Sequence, residues 1–477
     1  MMLAAVYLLG IDGAAVFHLE RNLPFSSNST SMEQLTARDQ ARHARILRGS
    51  TAADGVVHFP VYGSADANLF GLYYTKINLG SPPREFNVLI DTGSDVLWVM
   101  SNTCVNCPRS SNLQIQPTFY DATASSTARV IPCSHKDCAP FSKSGTSWCS
   151  SNGQCGYTFQ YLDLSVTSGV YVKDELRFDS ILPGSTIPKS RSAPIVFGVS
   201  TYQSGRLTST QHAVDGILGF GRGDLSVYSQ LSSTGLTPRV FSHCLKGDGM
   251  GGGIFVLGKI LEQGIVYTPL TPSKHLYYVH LQSIAVSGDM LGVDPVVFTN
   301  GGTFFDTGTT HAYLVDEAHD QFVNAVTTVV SQSAAPTTRR GFQCYLVNSS
   351  VSVSQLFPAV SLHFDGGASL VLKPEEYLVQ SFLDPAGIWC LGFGKSPQLT
   401  ILGELVLKDK IFVYDLIHQQ IGWTHFNCSS APNVSISRDY FVSSAHSSLS
   451  TCSTGSLPLG IITSVFLFVF LVKIVQS

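Results

Sequence analysis

Two tripeptides carry the residues of this chain best suited to chemistry. Asp91-Thr92-Gly93 follows the run Phe86-Asn-Val-Leu-Ile, and Asp306-Thr307-Gly308 follows Gly301-Gly-Thr-Phe-Phe. β-branched and aromatic residues ending in an acid, a Thr and a Gly read as a buried strand entering a tight turn that holds a carboxylate. One such turn is ordinary loop chemistry. Two, one in each half of the chain, point to a duplicated lobe whose carboxylates meet at a pseudo-two-fold axis.

Two carboxyl groups at hydrogen-bonding distance cannot both ionise cheaply, so one keeps its proton while the other is charged. The charged member can take a proton from a water held between them, and the protonated member can polarise the carbonyl under attack. Peptide hydrolysis then needs no metal, no cofactor and no covalent intermediate. The hydroxyls of Thr92 and Thr307 are placed to bond the two loops together. Gly93 and Gly308 let the backbone come close and aim N–H groups at the carboxylates.

Each triplet has a downstream companion: Asp215-Gly-Ile-Leu-Gly-Phe-Gly221 after the first and Ile401-Leu-Gly-Glu404 after the second. In these motifs and their order, residues 70–428 resemble the pepsin-like aspartic proteases, most nearly the plant nepenthesin-like group. The resemblance implies a mainly β, bilobal pepsin-like fold with the active-site cleft between two barrel-like lobes. It implies Asp91 and Asp306 as the catalytic pair, supported by Thr92, Gly93, Ser94, Trp98, Thr307, Gly308 and Thr309. It also implies that Ile217-Leu218-Gly219 and Ile401-Leu402-Gly403 thread beneath the catalytic turns. The expected activity is acid endopeptidase action on peptide or protein substrates by a monomer.

A β-hairpin closes over the substrate in that family, and its counterpart here is Tyr161-Leu-Asp-Leu-Ser-Val-Thr-Ser-Gly169. Tyr161 is expected to bond Trp98, and Tyr161 and Asp163 are the flap residues expected to face substrate. The glycines usual at the tip are replaced by Leu162 and Leu164, which resist the positive φ a tight hairpin turn often needs. His311 stands where relatives carry an apolar residue and is expected to be packed rather than catalytic. A pepsin-like fold that binds proteins without cleaving them is the rival reading. The altered flap favours that rival, and two intact triplets favour the enzyme.

The chain has 11 cysteines, and their placement favours disulfides over metal binding. The resemblance and plausibility suggest nested pairs, Cys133 with Cys155 and Cys138 with Cys149, then Cys344 with Cys390 and Cys244 with Cys428. Relatives carry further cysteines where this chain has Ser101 and Val199, which leaves Cys104 and Cys107 to pair with each other. Sequons at Asn28, Asn348, Asn427 and Asn433 are glycosylation candidates and fit a secretory route.

With 42 glycines, 13% charged residues and short apolar runs between Gly, Pro, Ser and Asn clusters, the composition argues for β structure. A net charge of −4 and no basic run give nucleic-acid binding no support. Residues 1–20 are a signal-peptide candidate without a basic start, and 21–62 resemble a prosegment containing a basic helix. The expected lobes are 63–267 and 268–428, followed by a Ser-rich linker, 429–456. The apolar tail, 457–477, reads as a lipid-anchor attachment signal or, as the alternative, a short membrane helix. The expected location is the outer face of the plasma membrane, with single-pass insertion or secretion as alternatives. Removal of the tail with Cys452 would leave an even number of cysteines.

Overall fold

The computed structural model describes residues 56–64 and 72–435, except 114, 136–137, 139–146, 182–187, 212, 248–250, 273–274, 349–351, 381–386 and 431–433. The signal-peptide candidate, the basic helix, the apolar tail, Asn28, Asn433 and Cys452 lie outside these residues. Asn348 and Asn427 are described, and both are exposed.

The strand that ends in the first Asp-Thr-Gly, Arg84–Asp91, forms because its apolar residues alternate. Phe86, Val88 and Ile90 are fully buried, while Asn87 and Leu89 are half-buried on the other face. It pairs antiparallel with Leu72–Leu79 and parallel with Gly216–Gly219. Trp98–Val105 closes the other side of Gly216–Gly219 and runs parallel to Pro188–Ser204. That last strand forms a long ribbon with Val166–Ile181. The free end of the ribbon pairs with Cys155–Gln160 and makes the hairpin of the expected flap.

The second half repeats this strand arrangement in a separate sheet. Thr303–Asp306 lies parallel to Thr400–Gly403, and Ala312–Val315 follows on the far side. The helix Asp316–Val330 packs on that sheet. Its buried residues Ala318, Phe322, Val326 and Val330 recur every four positions, the spacing of one helix face. Asp316 and Glu317 sit in the first turn, where carboxylates favour the positive end of the helix dipole.

A run of antiparallel strands joins the halves. In spatial order it is Val266–Pro269, Gln420–His425, Lys410–Asp415, Val240–Leu245, Gly253–Leu257 and Val56–Ser64. Strands from both ends of the chain therefore share one sheet. Val56–Ser64 begins inside the expected prosegment, yet Val57 and Phe59 belong to the core. A two-residue strand, Val434–Ser435, inside the expected linker pairs with Lys259–Ile260.

An aromatic cluster welds this floor. Phe241 stacks on Tyr414 at 4.4 Å, and Phe220 meets Phe255 edge-on at 4.5 Å. The Tyr277 hydroxyl donates to the Phe220 carbonyl at 2.6 Å. Such aromatic pairs contribute about 0.5–1.5 kcal/mol each beyond their burial.

Among the described residues five disulfides form, and one part of the expectation is corrected. The cluster pairs Cys133 with Cys149 and Cys138 with Cys155, not in the nested order. Burial sorts the four. Cys138 and Cys155 are 5% and 0% exposed and join inside, while Cys133 and Cys149 lie nearer solvent. The turn after Cys133 makes this possible by carrying Cys138 inward, with its N–H bonded to the His135 carbonyl at 2.9 Å. The remaining bonds are Cys104–Cys107, Cys344–Cys390 and Cys244–Cys428. Cys244–Cys428 spans 184 residues and ties the strand Val240–Leu245 to the chain just after Gln420–His425. Replacing both cysteines with Ser should destabilise the protein by about 2–5 kcal/mol, because a long closed loop restricts the unfolded chain strongly. Denaturant unfolding of the variant beside the native protein measures this.

Candidate active site

The two triplets meet where the halves touch. Asp91 ends its strand opposite Gly219, and Asp306 ends its strand opposite Gly403, in the same parallel register. Ile217-Leu218-Gly219 and Ile401-Leu402-Gly403 are thus the strands beside the catalytic ones. Asp91 and Asp306 are only 5% and 6% exposed.

Four reciprocal hydrogen bonds lock the turns. The Thr92 hydroxyl donates to the Phe305 carbonyl at 3.1 Å and accepts the Thr307 N–H at 3.1 Å. The Thr307 hydroxyl donates to the Ile90 carbonyl at 2.9 Å and accepts the Thr92 N–H at 3.1 Å. Both hydroxyls are buried, so losing either would leave an N–H and a C=O unpaired, at about 1–3 kcal/mol per group.

Each carboxylate is held in the same way. Asp91 Oδ1 accepts the Gly93 N–H at 2.9 Å, and Oδ2 accepts the Ser94 hydroxyl. Asp306 Oδ1 accepts the Gly308 N–H at 2.8 Å, and Oδ2 accepts the Thr309 hydroxyl at 2.6 Å. A Cβ on Gly93 would stand 2.6 Å from the Asp306 carboxylate, and one on Gly308 would stand 2.4 Å from Asp91 Oδ1. Glycine is required there because each turn passes over the opposite acid. Burial, followed by the facing Asp306 charge, pushes the Asp91 carboxyl well above the usual carboxylate range. The pair therefore retains a proton at pH values where a lone aspartate would have lost it.

Trp98 is buried, and its Nε1–H donates to the Tyr161 hydroxyl at 2.7 Å. This bond fixes the hairpin beside Asp91. Residues 161–165 form the tip, closed by Tyr161 N–H to Ser165 C=O and Leu164 N–H to Tyr161 C=O, both at 2.9 Å. Leu164 adopts φ 67°, at about 1–2 kcal/mol, while Leu162 keeps an ordinary negative φ. Only one of the two replaced glycines thus costs backbone strain. Asp163 is exposed, and its carboxylate closes on the turn itself, accepting the Ser165 N–H at 2.9 Å and its hydroxyl at 2.8 Å.

Several groups at the site carry little sequence signal. Asp95 Oδ1 accepts the Gly223 N–H at 2.8 Å, and its Oδ2 lies 3.0 Å from His275 Nδ1. It braces the loop four residues beyond Asp91. Asp215 accepts the N–H groups of Asn87 and Thr118, each at 2.7 Å, which pins the first companion motif to the catalytic strand. His311 packs against Phe342 with ring centroids 4.8 Å apart, and burial pushes its pKa down to about 4. Among the described residues no cluster of three His, Cys, Asp or Glu side chains is placed to hold a metal ion.

Residues 73–259 match the family described as Xylanase inhibitor N-terminal, and residues 276–425 match Xylanase inhibitor C-terminal. Aspartic proteinase 36 of Arabidopsis thaliana is 35% identical over 91% of this chain and 89% of its own length. The chain belongs to the pepsin-like aspartic protease family. Nepenthesin-1 of Nepenthes gracilis, a further family member, is 29% identical over 76% of this chain and 79% of its own length. Conglutin gamma from lupine seeds shares the fold, with a TM-score of 0.63 at 20% identity over 80% of this chain and 100% of that one. Basic 7S globulin from soybean superposes with a TM-score of 0.61 at 19% identity, over 79% of this chain and 98% of that one.

Glu404 directly follows the strand paired with Asp306, and its N–H bonds the Thr309 carbonyl at 2.7 Å. The side chain is 1% exposed, and burial pushes its pKa up to about 8. A carboxyl raised in the folded state stabilises the fold below the unfolded value near 4.5, and that stability is lost as pH rises to about 8. Glu404→Gln cannot ionise. Its melting temperature relative to the native protein should therefore rise between pH 4.5 and 8, read by thermal melts across that range.

Proposed function

We propose that the protein is an endopeptidase in which Asp91 and Asp306 activate water against a peptide bond. The observation that carries this reading is the pair of buried carboxylates, each held by the same N–H and hydroxyl contacts and locked by the threonines. The charged carboxylate takes a proton from water as the water oxygen bonds to the carbonyl carbon. The other carboxyl gives its proton to the carbonyl oxygen, forming a tetrahedral diol. Collapse of the diol breaks the C–N bond, a proton passes to the leaving nitrogen, and the pair returns to its singly protonated state. Metal and covalent enzyme intermediates have no part in this sequence.

The raised Asp91 carboxyl sets the pH behaviour. The pair works while it holds one proton, so kcat should fall as pH rises and that proton leaves. It should fall again in stronger acid as the second carboxyl protonates. A bell-shaped profile with its maximum below neutral pH is expected on peptide substrates. Asp91→Asn and Asp306→Asn should each lower kcat by about 10²–10⁴-fold, the usual loss when acid–base catalysis is removed, with far-UV circular dichroism unchanged. Native activity in either variant would sink the assignment.

A protein-binding or inhibitory role is the second reading. The matched families carry xylanase-inhibitor descriptions, which gives it specific support. It predicts no cleavage at any pH and tight binding to a folded protein that survives Asp91→Asn.

The apolar sequence 457–477, after a small-residue and Ser-rich stretch, supports a lipid-anchored form at the outer cell surface. A phosphatidylinositol-specific phospholipase should release that form from intact cells without the residues after about 450. Retention in the membrane with the C-terminal peptide intact would favour a membrane helix.

A further inference from the structure

Asp95 stands one residue beyond Ser94, whose hydroxyl donates to Asp91 Oδ2, and its side chain fills the space where three segments meet. One is its own turn. The second is the loop after Ile217-Leu218-Gly219. There Gly223 donates its N–H to Asp95 Oδ1 at 2.8 Å, and Gly221 donates its N–H to the Ser94 carbonyl at 2.7 Å. The third is the connection between the lobes, which leaves the floor strand Val266–Pro269 and enters the second sheet at Tyr278–Val279. His275 on that connection places Nδ1 3.0 Å from Asp95 Oδ2, and its carbonyl accepts the Arg222 N–H at 2.8 Å.

The three segments are closely fitted. A Cβ on Gly221 would collide with the Asp95 carboxylate and the His275 carbonyl oxygen, and one on Gly223 would collide with Asp95 again. Arg222, between these glycines, reaches on to the Thr271 carbonyl at 3.2 Å and to Gln419 Oε1 at 2.8 Å. Burial pushes the Asp95 carboxyl up and nearby Asp224 adds to the rise, while the Gly223 N–H and His275 oppose it. Neither the hydrolytic steps nor the threonine lock uses this acid. Burying it has a cost that its partners offset, and all of them lie on segments that meet at the first aspartate's turn.

We propose that Asp95 is a positioning residue for the reaction. It takes the position of the inter-lobe connection from His275 and passes it through the backbone to Ser94, whose hydroxyl orients the Asp91 carboxylate. This inference rests on the peptidase reading. Thr310 stands at the equivalent place in the second turn and brings no charge, so the device acts on the first aspartate alone.

The test is the pH profile of kcat and KM on one cleaved peptide. Asp95→Ala should lower kcat about tenfold, the loss expected when a hydrogen bond to a charged group goes, with KM nearly unchanged. Asp95→Asn keeps an oxygen for the Gly223 N–H and should recover most of the activity. Asp91 faces Asp306, Ser94, the Gly93 N–H and, from the hairpin, Tyr161. The Ser94 bond favours its charged form, so loosening that bond should also move the high-pH limb of kcat upward. Ser94→Ala should show the same shift, and adding Asp95→Ala to it should change little further, because both act along one path. His275→Ala removes the cross-lobe end at an exposed side chain and should move kcat and the limb in the same directions. A loss confined to KM or to thermal stability, additive effects of Ser94→Ala and Asp95→Ala, or a silent His275→Ala would overturn the proposal. If the native protein cleaves no peptide, the peptidase reading falls. Carbon-13 NMR of the aspartate carboxyls then decides the role of Asp95: an Asp91 titration displaced upward in Asp95→Ala and His275→Ala upholds it, and an unmoved titration refutes it.

Discussion

The reciprocal bonding of Thr92 and Thr307 is the constraint on which the rest of the site depends. Two buried carboxylates repel when charged and lose hydration in any state. Something must hold them together, and the threonine hydroxyls do so by bonding across the boundary to the backbone of the opposite turn. Each hydroxyl both donates and accepts, so neither turn can withdraw without leaving buried polar groups unpaired. The glycines follow from the same closeness. With the turns locked face to face, the atom above each Gly is the other aspartate, and no Cβ fits.

The lock needs a rigid base. Each catalytic strand is flanked by a parallel strand whose glycine lies opposite the aspartate, so sheet hydrogen bonds determine where the turn begins. Below them, the shared antiparallel strands and the cluster of Phe220, Phe241, Phe255, Tyr277 and Tyr414 connect the two halves. The Cys244–Cys428 bond reinforces the same floor. These elements join the two lobes directly beneath the paired carboxylates.

The equivalence of the two halves ends just beyond the catalytic strands. Phe220 follows the first Ile-Leu-Gly and is fully buried, whereas Glu404, a buried acid, follows the second. The first half carries the hairpin, anchored by Trp98 and Tyr161, and the second carries the helix Asp316–Val330 behind its sheet. Both loops hold their carboxylates with the same N–H and hydroxyl contacts while their surroundings differ.

The sequence by itself determined which residues come together at the site. The repeated Asp-Thr-Gly triplets, with their order and companion motifs, made Asp91 and Asp306 legible because local strand-and-turn signals surround both. The threonine and glycine roles were readable for the same reason. Tertiary structure decided what local signals cannot carry. The order of pairing among Cys133, Cys138, Cys149 and Cys155 depends on which of them a turn carries inward, and spacing does not encode burial. The bracing by Asp95 and His275 and the raised carboxyl of Glu404 arise from contacts between residues distant in the chain or from exclusion of water. A sequence specifies which groups are present. Their desolvation and partners exist only once the two halves have closed on each other.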